Sequence, residues 1–299
     1  MRILIAIAFL ASPAAHAVSP DADYLLAARY APMIFQHTGS HPKADAITNV
    51  DFDGDWSSNN NWDNLDRFEV PAFVYYSVIE TESHYFITYA FFHPRDYAWL
   101  CFPWICHEND LEGAGLTVEK TAAGPGDVVY LETKAHTSMD RTRDVPHIGG
   151  KTALYVERGG HGVHPWKPVT KGKFFTYSYA GRADDPGEAS EGAFGYELLP
   201  IETTIWAQRN SIGKGQTYRN TYDYTGTRFS LGPVPNKFAG EKWAANVVTA
   251  PWSWSDGGVG GLKLGDWFFD PALAVSRRVT LSKPISLEYV HNPYIGVYR

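Results

Sequence analysis

The chain has 299 residues, 44% of them hydrophobic and 20% charged, which is enough apolar material for a real core and too much for a disordered chain. Its 26 basic and 33 acidic residues leave a formal charge of −7 and no basic face, so a nucleic-acid polyanion is excluded as the main partner. The 10 Trp, 18 Tyr and 16 Phe, beside only three Met, favour strands over helices.

The first seventeen residues read as an export signal. Arg2 supplies a basic start, Ile3 to Leu10 an apolar run, and Ala15-His16-Ala17 a small-x-small cleavage site. The run is far shorter than the roughly 20 residues that span a bilayer, and no later stretch is long and apolar enough to do so. A secreted or periplasmic protein, cleaved after Ala17, is expected. In such a compartment Cys101 and Cys106 are expected to form a disulfide closing a tight loop just before His107.

Residues 18–299 read as one domain. Asp23 to Tyr30 predicts a short helix ended by Pro32, followed by a polar stretch from His37 to Asn64. Strands are predicted over 72–78, 84–92, 116–119, 128–133, 152–157, 174–179, 203–208, 221–224 and 279–290. Many short strands between turn signals predict an all-β fold: an antiparallel β-sandwich with long loops and a few flanking helices.

The densest cluster of hard ligands is Phe92-His-Pro-Arg-Asp96 followed by His107-Glu-Asn-Asp110-Leu-Glu112. On a strand, Asp110 and Glu112 share a face, and His107 can reach it from the loop. Two carboxylates and an imidazole favour Mg²⁺, Ca²⁺ or Mn²⁺ over Zn²⁺, since neither cysteine has zinc-site spacing. An exposed acidic turn beside a surface histidine is the plainer alternative.

At these residues the chain resembles the necrosis- and ethylene-inducing peptide 1-like proteins. His107-x-x-Asp110-x-Glu112 is similar to their Gly-His-Arg-His-Asp-Trp-Glu, Phe92-His-Pro-Arg-Asp96 to their Tyr-Phe-Pro-Lys-Asp, and Val50-Asp-Phe-Asp-Gly54 to their Val-Asp-Ala-Asp-Gly. A second resemblance is to the vacuolar protein sorting-associated protein 62 family, whose Gly-Ser-His block could correspond to Gly159-Gly-His-Gly162. Together these cover about residues 45–165 and leave 170–299 unplaced. The resemblance implies a β-sandwich with a divalent ion at one end, held by Asp96, His107, Asp110 and Glu112 with either His136 or His161, and engaging a glycan or membrane-lipid head group. The heptapeptide's Gly, Arg, second His and Trp are Cys106, Glu108, Asn109 and Leu111 here, which puts toxin activity in doubt.

Two alternatives accompany this reading. In a metal-dependent hydrolase of phosphoesters or glycans, Glu108 or a free histidine would act as general base. In a structural exported protein the ion would only tie loops together. Asp51, Asp53 and Asp55 fail the EF-hand spacing and read as an Asp-Gly turn, although a second calcium site is conceivable there. Trp252 and Trp254, beside a Gly-rich loop, are candidates for stacking sugar rings, against a plainer reading as half core and half edge. No Gly-x-Ser-x-Gly or phosphate-binding glycine loop is present.

Overall fold

The computed structural model describes residues 20–102, 105–169, 171–243, 248–255 and 258–298. The predicted signal segment, residues 1–17, lies outside them. Among the described residues no helix is long and apolar enough to cross a membrane.

After helix α1 (Pro20–Tyr30) come strands β1 (Met33–Thr38), β2 (Phe73–Thr81), β3 (His84–Asp96), β4 (His107–Thr121), β5 (Gly124–Ala135), β6 (Ser138–Thr142), β7 (His147–Ile148), β8 (Lys151–Val156) and β9 (Val163–Pro165). Beyond them lie β10 (Lys173–Tyr179), β11 (Gly192–Pro200), β12 (Tyr218–Thr225), β13 (Ser230–Phe238) and β14 (Tyr289–His291).

The β-rich prediction holds, with 42% strand and 13% helix, but the antiparallel sandwich does not. Twelve strands form one mixed sheet in the order β6-β5-β4-β3-β2-β11-β10-β1-β8-β7, with β14 on β2 and β9 on β8. The meander from β2 to β6 is antiparallel, whereas β11 runs parallel to both β2 and β10, and β1 runs parallel to β8. Because β9 also lies against β4 and β5, the sheet curls nearly closed and resembles a barrel. Residues 170–299 are not an appendage: β10 and β11 insert between β1 and β2.

The curl divides the core in two. One cluster, with Ile34, Val74, Phe91, Leu131, Phe175 and Tyr196, fills the inside under α1. The second packs Phe92, Leu111, Phe238, Trp252, Trp254 and Phe268 between the other face and the C-terminal segments. Two predicted strands are absent. Residues 203–208 lie in consecutive turns, and of 279–290 only the end joins β14. Ile201 and Ile205 are buried by the turn instead, showing that an apolar β-type run can be satisfied without a ladder.

His84, at the start of β3, is wholly buried. Burial, then the charges of Lys283 and Lys120, push its pKa down to about 4. The folded value lies below the unfolded one of about 6.5, so the stability His84 allows is full above pH ~6.5 and is lost as pH falls toward ~4. Urea unfolding at pH 7 and pH 5 should show His84→Gln losing less stability than the parent over that interval, by about 1–2 kcal/mol. Equal losses would mean that His84 does not set the acid limb.

Candidate functional site

A cavity of about 840 Å³ opens at the end of the sheet where β3 leaves and β4 enters. Asp96, His107, Asp110, Glu112 and His136 all line it, together with Gly160 and the apolar Trp99 and Ile105. His161 does not line it. That residue sits wholly buried behind Asp110.

Simple alternation does not explain this arrangement. Along a regular strand Glu108, Asp110 and Glu112 would share a face. Asn109, however, adopts a left-handed conformation with φ 63°, and the alternation breaks there. Glu108 turns away, and its carboxylate accepts from the backbone N–H groups of Trp62 and Glu241, both at 2.8 Å. Asn109 is itself buried and donates to Ser58 O and Ala239 O while accepting from Asn61. Glu108 is therefore occupied in holding loops, and the hydrolytic reading loses its first candidate base.

Cys101 and Cys106 are joined, with Cα atoms 5.2 Å apart, and Cys106 is buried beside the strand. The bridge closes the loop that leads from Asp96 to His107. In those two residues, paired across β3 and β4, His107 Nε2 lies 3.2 Å from Asp96 Oδ2. Nδ1 of the same ring donates to Asn109 O at 2.8 Å, so Nε2 meets the carboxylate favourably only with a proton or a cation between them. Burial lowers the His107 pKa, but the hydrogen bond and charge of Asp96 outweigh it and the net shift is upward.

Behind the cavity runs a buried chain, Asp45–His161–Asp110. Nδ1 of His161 is 3.0 Å from Asp110 Oδ2, and Nε2 is 3.4 Å from Asp45 Oδ1. Burial opposes charging the ring, yet the two carboxylates prevail and push its pKa up to about 10. Its face stacks on His93 at 3.8 Å, and His93 is kept neutral by burial and by the His161 charge. Asp45 also accepts from Gly39 N, Gly159 N and the Tyr97 hydroxyl, tying three walls of the cavity to one carboxylate. Nothing in the sequence pointed to Asp45; it sits alone in the one-turn segment Pro42–Asp45.

Glu112 is the discordant group. One oxygen accepts from His136 N at 2.5 Å, but Oε2 is buried with no hydrogen-bond partner. Burial and the neighbouring Asp110 charge hold this carboxyl well above the ordinary range. His136 stands at the rim, its Nε2 2.9 Å from Glu157 Oε2. Glycine at 160 and 162 makes that approach possible, since a Cβ would come within 2.9 Å and 3.1 Å of the His136 ring.

Trp252 and Trp254 do not offer faces for sugar stacking. They are 0% and 2% exposed, with indole N–H groups bonded to Pro235 O and Thr249 O. The short helical turn Pro251–Ser253 breaks strand alternation and sends both rings into the second core cluster. Asp53 and Asp55 cap their own turn and hold Asn64 and Ser57, as the Asp-Gly turn reading expects.

No protein-family model matches the chain, and no curated protein matches it. Solved structures to which it is similar include "NLPPya in complex with glucosamine", at 17% identity over 61% of this chain and 74% of that one, TM-score 0.37. Another is a "non-toxic HaNLP3 protein", at 14% identity over 58% and 72%, TM-score 0.34. A third is the necrosis and ethylene inducing protein 2 from the causal agent of cocoa's witches' broom disease, at 14% identity over 44% and 51%, TM-score 0.29. These neighbours are toxin-fold proteins of the family already resembled in the motifs.

Proposed function

We propose that the chain is an exported protein that binds a divalent cation in the cavity at the sheet's end and uses it to recognise a sugar-bearing head group at a lipid surface. The observation that carries this reading is the buried, unpartnered Glu112 Oε2 beside Asp110, in a cavity that Asp96 and His107 also line. Carboxylates this close repel one another, and a hard cation with oxygen ligands relieves the repulsion. Among the described residues, no three such side chains already surround a common point at metal-binding separation. The upward pKa shifts of His107 and His161 beside Asp96 and Asp110 favour a proton on each ring, and the ion would displace the one at His107. Asp96, Asp110 and Glu112 with His107 would hold it, His136 Nδ1 lies 3.9 Å from Glu112 Oε1, and His161 orients Asp110 from behind.

The lipid surface is argued from the rim. Trp99 is 97% exposed and Leu100 54%, directly before the bridged Cys101, and Trp99 and Ile105 line the same cavity. Apolar side chains held out into water beside a polar pocket suit a bilayer interface, where tryptophan settles at head-group depth. That glycosamines occupy some of the similar solved structures accords with a sugar ligand.

Flotation with phosphatidylcholine vesicles, with and without glucosylceramide, tests the proposal. Association should require both the glycolipid and Ca²⁺, Mg²⁺ or Mn²⁺. Trp99→Ser should weaken it on the order of tenfold through lost apolar burial. Equal association in chelator, or with plain vesicles, would overturn the reading.

A further inference from the structure

We propose a second ligand site, for a neutral sugar ring, in a separate cavity of about 810 Å³ lined by β6, β8, β9 and the residues that follow β9. It stands on residues other than the candidate cation ligands and does not depend on that reading. Its lining combines Trp166 and Tyr155 with His164, Asp140 and Asp144.

A pyranose presents flat C–H faces and a rim of hydroxyls. Binding it calls for a fixed aromatic plate beside fixed polar groups, because loose side chains would lose rotamer freedom on binding. The aromatic plate and the His164 side of the polar wall are fixed in this way. Phe35 packs on the Trp166 ring with centroids 4.1 Å apart at 30°, fixing the plate from behind. The Tyr155 hydroxyl lies 3.2 Å from His37 Nδ1, which holds the second ring.

The polar side is fixed more firmly still. Both nitrogens of His164 are engaged, Nδ1 with Asp140 Oδ2 at 2.7 Å and Nε2 with Glu157 Oε1 at 3.1 Å. The other oxygen of Glu157 holds His136 of the first cavity, so a four-residue chain braces this wall. Asp140 uses one oxygen on His164 and keeps the other for a ligand hydroxyl. Asp144 is exposed, and its carboxylate makes no hydrogen bond among the described residues. Arg141 and Lys167 line the cavity opposite in charge to the two carboxylates, so the lining is balanced and suits a neutral ligand, while paired acceptors beside an aromatic plate match vicinal hydroxyls.

Titration calorimetry in the presence of chelator, with cellotetraose, laminaritetraose and maltotetraose as probes and tetraglycine as the control, tests the assignment. At least one tetrasaccharide should saturate with Kd near or below about 1 mM. Trp166→Ala should weaken it roughly tenfold and Asp144→Asn about threefold. Asp144→Asn keeps the test meaningful should Trp166→Ala disturb Phe35. The site is refuted if no tetrasaccharide saturates by about 10 mM, if both variants bind as the parent does, or if tetraglycine binds equally well.

Discussion

Asp45→Ala should destabilise the protein by about 3–5 kcal/mol, the cost of leaving a buried partner charge uncompensated. In a chain of this size that corresponds to a fall in melting temperature of roughly 10 °C. Asp45 is wholly buried, faces the His161 imidazolium, and anchors Gly39, Tyr97 and Gly159. The effect carries a pH signature. The folded pKa of His161, pushed up to about 10, exceeds its unfolded value of about 6.5. Its stabilisation is therefore full below pH ~6.5 and declines as pH rises toward ~10. Glu112, a carboxyl raised in the folded state, also lowers stability as pH rises above the ordinary carboxylate range, so the variant must be compared with the parent at each pH. Urea unfolding at pH 6 and pH 9.5 should find the gap between parent and Asp45→Ala wide at pH 6 and narrower at 9.5. A gap that is small, or the same at both, would remove the buried chain from the account.

The second large effect is expected at Asn109. Asn109→Ala loses three hydrogen bonds and places an alanine at φ 63°, where a Cβ costs about 1–2 kcal/mol. Asn109→Gly loses the same bonds without the strain. Both should destabilise by a few kcal/mol, with alanine worse by about 1 kcal/mol. The difference has a structural meaning, because the left-handed turn is what separates the directions of Glu108 and Asp110. Denaturant midpoints for the two variants measure it, and equal midpoints would show that the strand's kink does not need Asn109.

Those two residues also mark where the sequence stopped being readable. Alternation along the strand puts Asp110 and Glu112 on one face, and both line the cavity with His107, because these are local consequences of a strand and the turn before it. The same rule left Glu108 available as a catalytic base, and nothing but asparagine's tolerance of positive φ at 109 hints otherwise. Asp45 reaches His161 from 116 positions away, a pairing that no local pattern encodes. The choice between His136 and His161 was open for the same reason: both lie near the site, one at the rim and one behind it.

The fold failed to read at a similar boundary. Individual strands such as 84–92 and 174–179 were visible from their β-branched and aromatic runs. Their partners were not. Whether β11 lies parallel to β2 depends on a crossover that composition does not record, so the strand pattern of a mixed, curling sheet reads the same as that of a sandwich. Trp252 and Trp254 are both core, neither sugar-stacking nor half at an edge, because a three-residue helical turn started at Pro251 replaces strand alternation there.

The central claim is that the cavity holds a divalent cation through Asp96, His107, Asp110 and Glu112, and thermal melting tests it most directly. An ion that binds only the folded form stabilises it by about 2.7 kcal/mol at a hundredfold excess over Kd, an upward shift of several degrees. The parent protein should melt higher in Ca²⁺, Mg²⁺ or Mn²⁺ than in chelator, increasingly with ion concentration. Glu112→Gln should lose most of that shift while melting in chelator at or above the parent, because it removes a buried carboxylate whose Oε2 has no hydrogen-bond partner. Superimposable melting curves for the parent in chelator and in excess of each ion would contradict the account.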